Sequence, residues 1–173
     1  MAANAVFDPF AGLASADDVT ARQVRLKSAT TSKTTSVLSV DTDLTISITT
    51  PGQYRVEGAL IFNCASNTPD AKVQFDFTGT STANTTIAFI VPGTASNSPI
   101  NQVSTQGFSM AAPISFGVIA IRQYNIVDGF LIVNTAGDFT VSWAQDATNA
   151  TPTFLQLGSW IAISRMQNSG LPL

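Results

Sequence analysis

The sequence predicts an all-β protein: an antiparallel β-sandwich or jelly roll of eight to ten strands, with an extended N-terminal arm. Three observations predict it. Short apolar runs with period-two alternation follow one another from about Thr34 onward. Turn signals such as Pro51-Gly52 and Pro92-Gly93 separate them at regular intervals. Almost nothing beyond the first thirty residues reads as helical. At 173 residues and 18.1 kDa, the chain is long enough for one domain with a substantial core. An up-and-down barrel is the competing architecture.

The first segment, residues 1–33, behaves unlike the rest. "FDPFAGL" is loop-like, and "SADDVTARQ" reads as a short helix with Ser15 as its N-cap and Asp17 and Asp18 in the first turn. Arg22, Arg25, Lys27 and Lys33 then hold half of all the positive charge. This segment nets +1 and the remainder −4. One reading is a solvated tail. The other is an anchoring arm, in which Phe7, Phe10 and Leu13 supply apolar grip while Arg22, Arg25 and Lys27 meet an acidic partner.

The strands follow in order. Ser36–Val40 and Leu44–Thr50 are short β-rich runs ending at Pro51-Gly52. In "QYRVEGALIFN", Tyr54, Val56, Gly58, Leu60 and Phe62 share one face and Arg55, Glu57 and Ala59 the other. "AKVQFDF" sends Val73, Phe75 and Phe77 inward. "TTIAFIV" stops at Pro92-Gly93. Residues 93–113 carry no clear period and read as a long excursion, which in a compact domain signals contact or function. Strands resume with "ISFGVIAIR", "YNIVDGFLIVN", "DFTVSWAQ" and "TFLQLGSWIAISR". Ala136-Gly137 reads as a hairpin turn, and Asp146–Pro152 as the tip of the next hairpin. Residues 34–167 thus form the β-domain and 168–173 a tail. Ile114–Ile121 and Phe154–Ile163 are apolar on both faces, so each is covered on both sides. In a two-layer sandwich one of those covers comes from another chain.

Composition points the same way. Only 11% of the residues are charged while 45% are hydrophobic, against roughly 25% charged in ordinary soluble domains. No apolar run reaches the roughly 18 residues a spanning helix needs, and no basic-then-apolar leader opens the sequence. The two Trp and two Tyr are too few for the aromatic girdles of a membrane barrel. Burial within an assembly is the expected use of so apolar a surface, with no membrane partner. A net charge of −3 argues against nucleic acid.

Catalytic chemistry is poorly supplied. The sequence has no His, which removes imidazole-based metal sites and Ser-His or Cys-His nucleophiles. It has no phosphate-binding Gly loop. The lone Cys64 ends an apolar strand and reads as a small buried hydrophobe. Asp41 and Asp43 have spacing suited to a hard cation but no cation-loop motif, and charged residues heading a strand are usually solvated. No enzyme activity, cofactor or metal is expected.

The pieces "PGQYRVEGALIFN", a Phe-rich strand, "GTASNSP" and "GFLIVNTAGDFTVSWAQDATNATPTFLQLGSWIAISRM" together resemble a bacteriophage virion module. Its marks are a Tyr-Arg-x-Glu-Gly strand, a late Gly-x-Leu strand, a turn with Ala-Gly, a strand with Trp-Ala-Gln and a closing Gly-Ser-Trp-Ile strand. It looks like the trimeric jelly roll of the C1q and tumour-necrosis-factor type. The match runs over about residues 35–166. The resemblance implies a virion structural protein, most simply a homotrimeric capsid decoration protein whose arm clasps the major capsid protein or another virion protein. A tail-fibre or tail-tip adhesin that binds a host-surface glycan is the alternative. The closing strand, with Phe154, Leu155, Leu157, Ile161 and Ile163, is then the candidate trimer-facing strand. Trp143 and Trp160 are expected in the core.

Overall fold

The computed structural model describes residues 22–65, 69–82, 85–91, 102–106 and 113–166. Twelve strands run through them: β1 (Gln23–Leu26), β2 (Thr31–Lys33), β3 (Ser39–Ile48), β4 (Gly52–Cys64), β5 (Ala71–Phe77) and β6 (Thr86–Val91). Then come β7 (Gln102–Gln106), β8 (Ile114–Phe116), β9 (Gln123–Val133), β10 (Gly137–Gln145), β11 (Thr153–Leu155) and β12 (Trp160–Arg165). All pairings are antiparallel.

The strands form two sheets. The larger orders β1-β12-β4-β9-β6-β7, with β11 pairing both β4 and β2; the smaller orders β3-β10-β5-β8. The chain changes sheet at nearly every connection, staying within one only from β1 to β2, β6 to β7 and β11 to β12. That alternation is a jelly roll, with the β6–β7 hairpin inserted between β5 and β8. The all-β sandwich expected from the alternation is therefore the fold.

The period-two readings place the core correctly. Tyr54, Val56, Leu60 and Phe62 of β4 and Val73, Phe75 and Phe77 of β5 all lie buried between the sheets. Phe62 meets Trp143 and Phe116 edge-on, with ring centroids at 5.5 and 5.2 Å, a favoured aromatic geometry. Cys64 is fully buried.

Several expectations are corrected. The strands number twelve among the described residues, because short edge strands and β7, inside the supposed excursion 93–113, carry little apolar pattern of their own. Ala136-Gly137 and Asp146–Pro152 do not close hairpins. They carry the chain between sheets, since the partners of β10 are β3 and β5. Ile114–Ile121 is strand only as far as Phe116, and Ile121 stands exposed beyond it.

The sheet also starts earlier than Thr34. β1 pairs with β12 and β2 with β11, so residues 23–33 are built into the larger sheet. The anchors Phe7, Phe10 and Leu13 lie outside the described residues, as does the helix expected over 15–23 as far as residue 21; its last residue, Gln23, is the first of β1. The C-terminal tail, residues 168–173, lies outside them as well.

Candidate functional site

The two outward faces of the sandwich differ in chemistry. On the smaller sheet the outward side chains are mostly small and polar: Thr45 and Ser47 of β3, Asp138 of β10, and Gln74 and Asp76 of β5; Thr140 and Ser142 lie on the same side of β10 but are buried, and Val40 of β3, opposite Ser142, is half exposed. Ser47 donates to Asp138 at 2.6 Å. Hydroxyls and carboxylates of this kind are readily hydrated.

The larger sheet presents an apolar row instead. Register sets Leu26 of β1 opposite Trp160 of β12, Trp160 opposite Ala59 of β4, Ala59 opposite Ile126 of β9, and Ile126 opposite Ile90 of β6. Five adjacent strands thus carry an apolar side chain at the same level. Leu26 is 60% exposed and Ile126 51%. Tyr124 and Phe130, two and four residues along β9 on either side, are 59% and 47% exposed. Large apolar side chains standing together on one face mark an interaction surface.

One charged network crosses this face. Arg55 reaches Glu57 and Asp128, each at 2.9 Å, and Arg22 reaches Glu57 at 3.2 Å while its guanidinium lies 5.5 Å from the centre of the Trp160 ring. Two cations meet two carboxylates. The face therefore holds both signs with no excess of either among these groups.

A second polar cluster ties β1 and β2 to the smaller sheet. Lys27 is only 1% exposed, with its ammonium 2.6 Å from Asp41 Oδ2 and 3.7 Å from Asp43 Oδ2. The register shift between β10 and β3 near Thr140 and Ser142 lies where β3 carries these aspartates, and bulges re-aim side chains in this way. The Ser28 amide and hydroxyl both donate to Asp43 Oδ2, at 3.0 and 2.9 Å. Those bonds, with lesser help from Lys27, hold the Asp43 carboxyl below its ordinary range. Arg25 Nε donates to the Thr45 carbonyl at 3.1 Å. Lys33 donates to Ser39 Oγ at 2.7 Å and sits 4.5 Å from the Trp143 ring centre; burial lowers its pKa.

The structure thus relocates most of the residues singled out from sequence. Lys27 is not a solvent-facing anchor but half of a buried pair, and Asp41, which heads β3, is its partner rather than a solvated carboxylate. Arg22 and Arg25 serve the fold's own contacts. Leu155, Ile161 and Ile163 do not face outward: all three are buried in this chain's own core. The run Phe154–Ile163 is not one strand either. It breaks at Leu157-Gly158, where Gly158 has φ +91°, so the core side of the closing region is filled from within. Phe154 is half-buried and Leu157 exposed in that turn. Trp143 is in the core as expected, and Trp160 is only partly covered, on the outward face.

The residues missed were Leu26, Tyr124, Ile126 and Phe130. A signal existed for three of them. "YNIVDGFLIV" is apolar at both parities, with Tyr124, Ile126 and Phe130 interleaved among Val127, Leu131 and Val133.

No family model matches the chain, and no curated protein does. Among solved structures it is similar to a family two carbohydrate esterase from Cellvibrio japonicus. That likeness has 14% identity and a TM-score of 0.21, and it covers 85% of this chain and 35% of the esterase chain.

Proposed function

We propose that this chain is a non-enzymatic structural protein of a bacteriophage virion, a homotrimer that decorates the capsid surface and stabilises the head. The observation that carries the reading is the contrast between the two outward faces. An apolar row across five strands of the larger sheet lies open, and the smaller sheet faces outward with small polar groups. A subunit built this way sets the first face against its neighbours and the second toward water. The resemblance of residues 35–166 to phage jelly-roll modules supplies the context. Each trimer that joins adjacent capsid subunits then favours the assembled head by mass action.

Adhesion at a tail or fibre tip is the second reading, and one observation favours it. β1 begins and β12 ends at one end of the sandwich, where Gln23 pairs with Ile163 and the Met166 amide donates to the Gln53 carbonyl. The opposite end gathers loops tied to one another: Asp146 to Asp70, Asn149 to Thr34 and Cys64 to Ile119 through the backbone. Held by the first of these ends, the molecule offers those loops outward to a host glycan.

Immunogold labelling of intact particles tests the proposal. Label spread over the head supports decoration, and label confined to the tail or fibre ends transfers the reading to adhesion. Particles that carry none of the protein overturn both.

A further inference from the structure

We infer that β1 is a latch: the buried Lys27–Asp41 pair docks it on the sandwich, and its docking completes a surface that binds a second copy of this chain. The inference rests on reading the apolar face of the larger sheet as a self-association surface. It adds that the strength of association is set by a contact remote from that face.

The occupant follows from charge. Arg22, Arg55, Glu57 and Asp128 balance one another on this face, so a strongly acidic or basic partner finds no excess charge to meet. A copy of the same face matches it in both respects. About a rotation axis, apolar row can meet apolar row while carboxylates of one copy approach guanidinium groups of the other.

β1 contributes one end of the face. Val24 and Leu26 point outward from it, both about half exposed or more, and Leu26 closes the apolar row beside Trp160. Just before the strand, Arg22 covers that ring and reaches Glu57. Yet β1 is an edge strand of four residues with a single ladder neighbour, β12. None of its side chains is buried. A few polar contacts in and just beyond the strand hold it down: the Lys27 amide on the Ser159 carbonyl at 2.8 Å, the Lys27 ammonium between Asp41 and Asp43, Ser28 on Asp43, and Arg25 on Thr45. Removing the lysine charge leaves Asp41 buried without its cation, a cost that opening the edge relieves. Undocking then takes Val24, Leu26 and Arg22 out of the face. Docking and association are therefore linked, and each strengthens the other.

Sedimentation equilibrium and amide hydrogen exchange on the full chain test this together. The wild type associates, and its Gln23–Leu26 amides gain protection as protein concentration rises. Ile126→Glu abolishes association. Lys27→Met speeds exchange at Gln23–Leu26, leaves the β10 amides protected, and lowers the association constant by roughly tenfold or more. Pairing Lys27→Met with Asp41→Leu removes both charges and restores association. Should Lys27→Met alone not fold, Arg25→Ala with Ser28→Ala loosens the same strand and carries the same comparison. A wild type that stays monomeric, or an Ile126→Glu variant that associates normally, overturns the self-association face. Unchanged association in the Lys27→Met variant, with or without faster exchange in β1, overturns the latch and leaves the face standing.

Discussion

At the scale of single residues, the cluster of Lys27, Asp41 and Asp43 shows how far a charge's role depends on its neighbours. A lysine in a basic stretch ordinarily points to solvent, and Lys27 is among the most buried side chains of the protein. Asp43 is held below the ordinary carboxylate range chiefly by the two Ser28 hydrogen bonds. A carboxyl whose pKa is depressed by folding stabilises the protein above its unfolded pKa of about 3.9. That stabilisation is lost as pH falls through the lower folded value. Asp43→Asn is expected to be less stable than wild type near neutral pH, with the difference vanishing on acidification through that window. Urea midpoints measured across the acid range check it, and parallel curves would count against the assignment.

At the scale of elements, the strands differ in how much their own pattern says. β4 and β5 alternate cleanly, and the inward set could be named from sequence because one parity is apolar and the other polar. β9 is apolar at both parities, so its pattern alone does not separate the inward set from Tyr124, Ile126 and Phe130, which stand about half exposed. β11 and β12 misled for a related reason: a continuous apolar run hid the turn at Gly158, whose positive φ interrupts it. Close packing between elements adds a constraint invisible in any one strand. A Cβ on Gly129 of β9 would stand 2.2 Å from the Thr86 carbonyl oxygen and 2.8 Å from Ile87 Cα of β6. Both obstacles are backbone, so the strands must part. Gly129→Ala is expected to cost about 1–3 kcal/mol, read as a lower urea midpoint with faster amide exchange concentrated in β6. At Gly158 the added Cβ meets only Ile61 Cδ1, at 3.7 Å. Gly158→Ala therefore costs mainly its left-handed backbone, about 1 kcal/mol.

At the scale of the whole molecule, the low charge content predicted a buried surface, and the folded chain offers one sheet face of the right chemistry for it. An association driven by apolar burial has two signatures. It persists as salt rises from about 0.05 to about 1 M, because screening weakens exposed ion pairs and not apolar contact. It also carries a negative heat-capacity change. Dilution calorimetry at several temperatures and salt concentrations measures both, and dissociation by salt alone would point instead to the network of Arg22, Arg55, Glu57 and Asp128. What the sequence determined by itself was the all-β class and the inward faces of β4 and β5. Period and composition are local properties, and these conclusions follow from them. Which strands lie side by side, that Leu26, Trp160, Ala59, Ile126 and Ile90 fall in one row, and that Lys27 finds Asp41 were decided only by the tertiary structure. Register across a sheet and the burial of a charge depend on residues far apart in the chain, and no local pattern encodes which of them will meet.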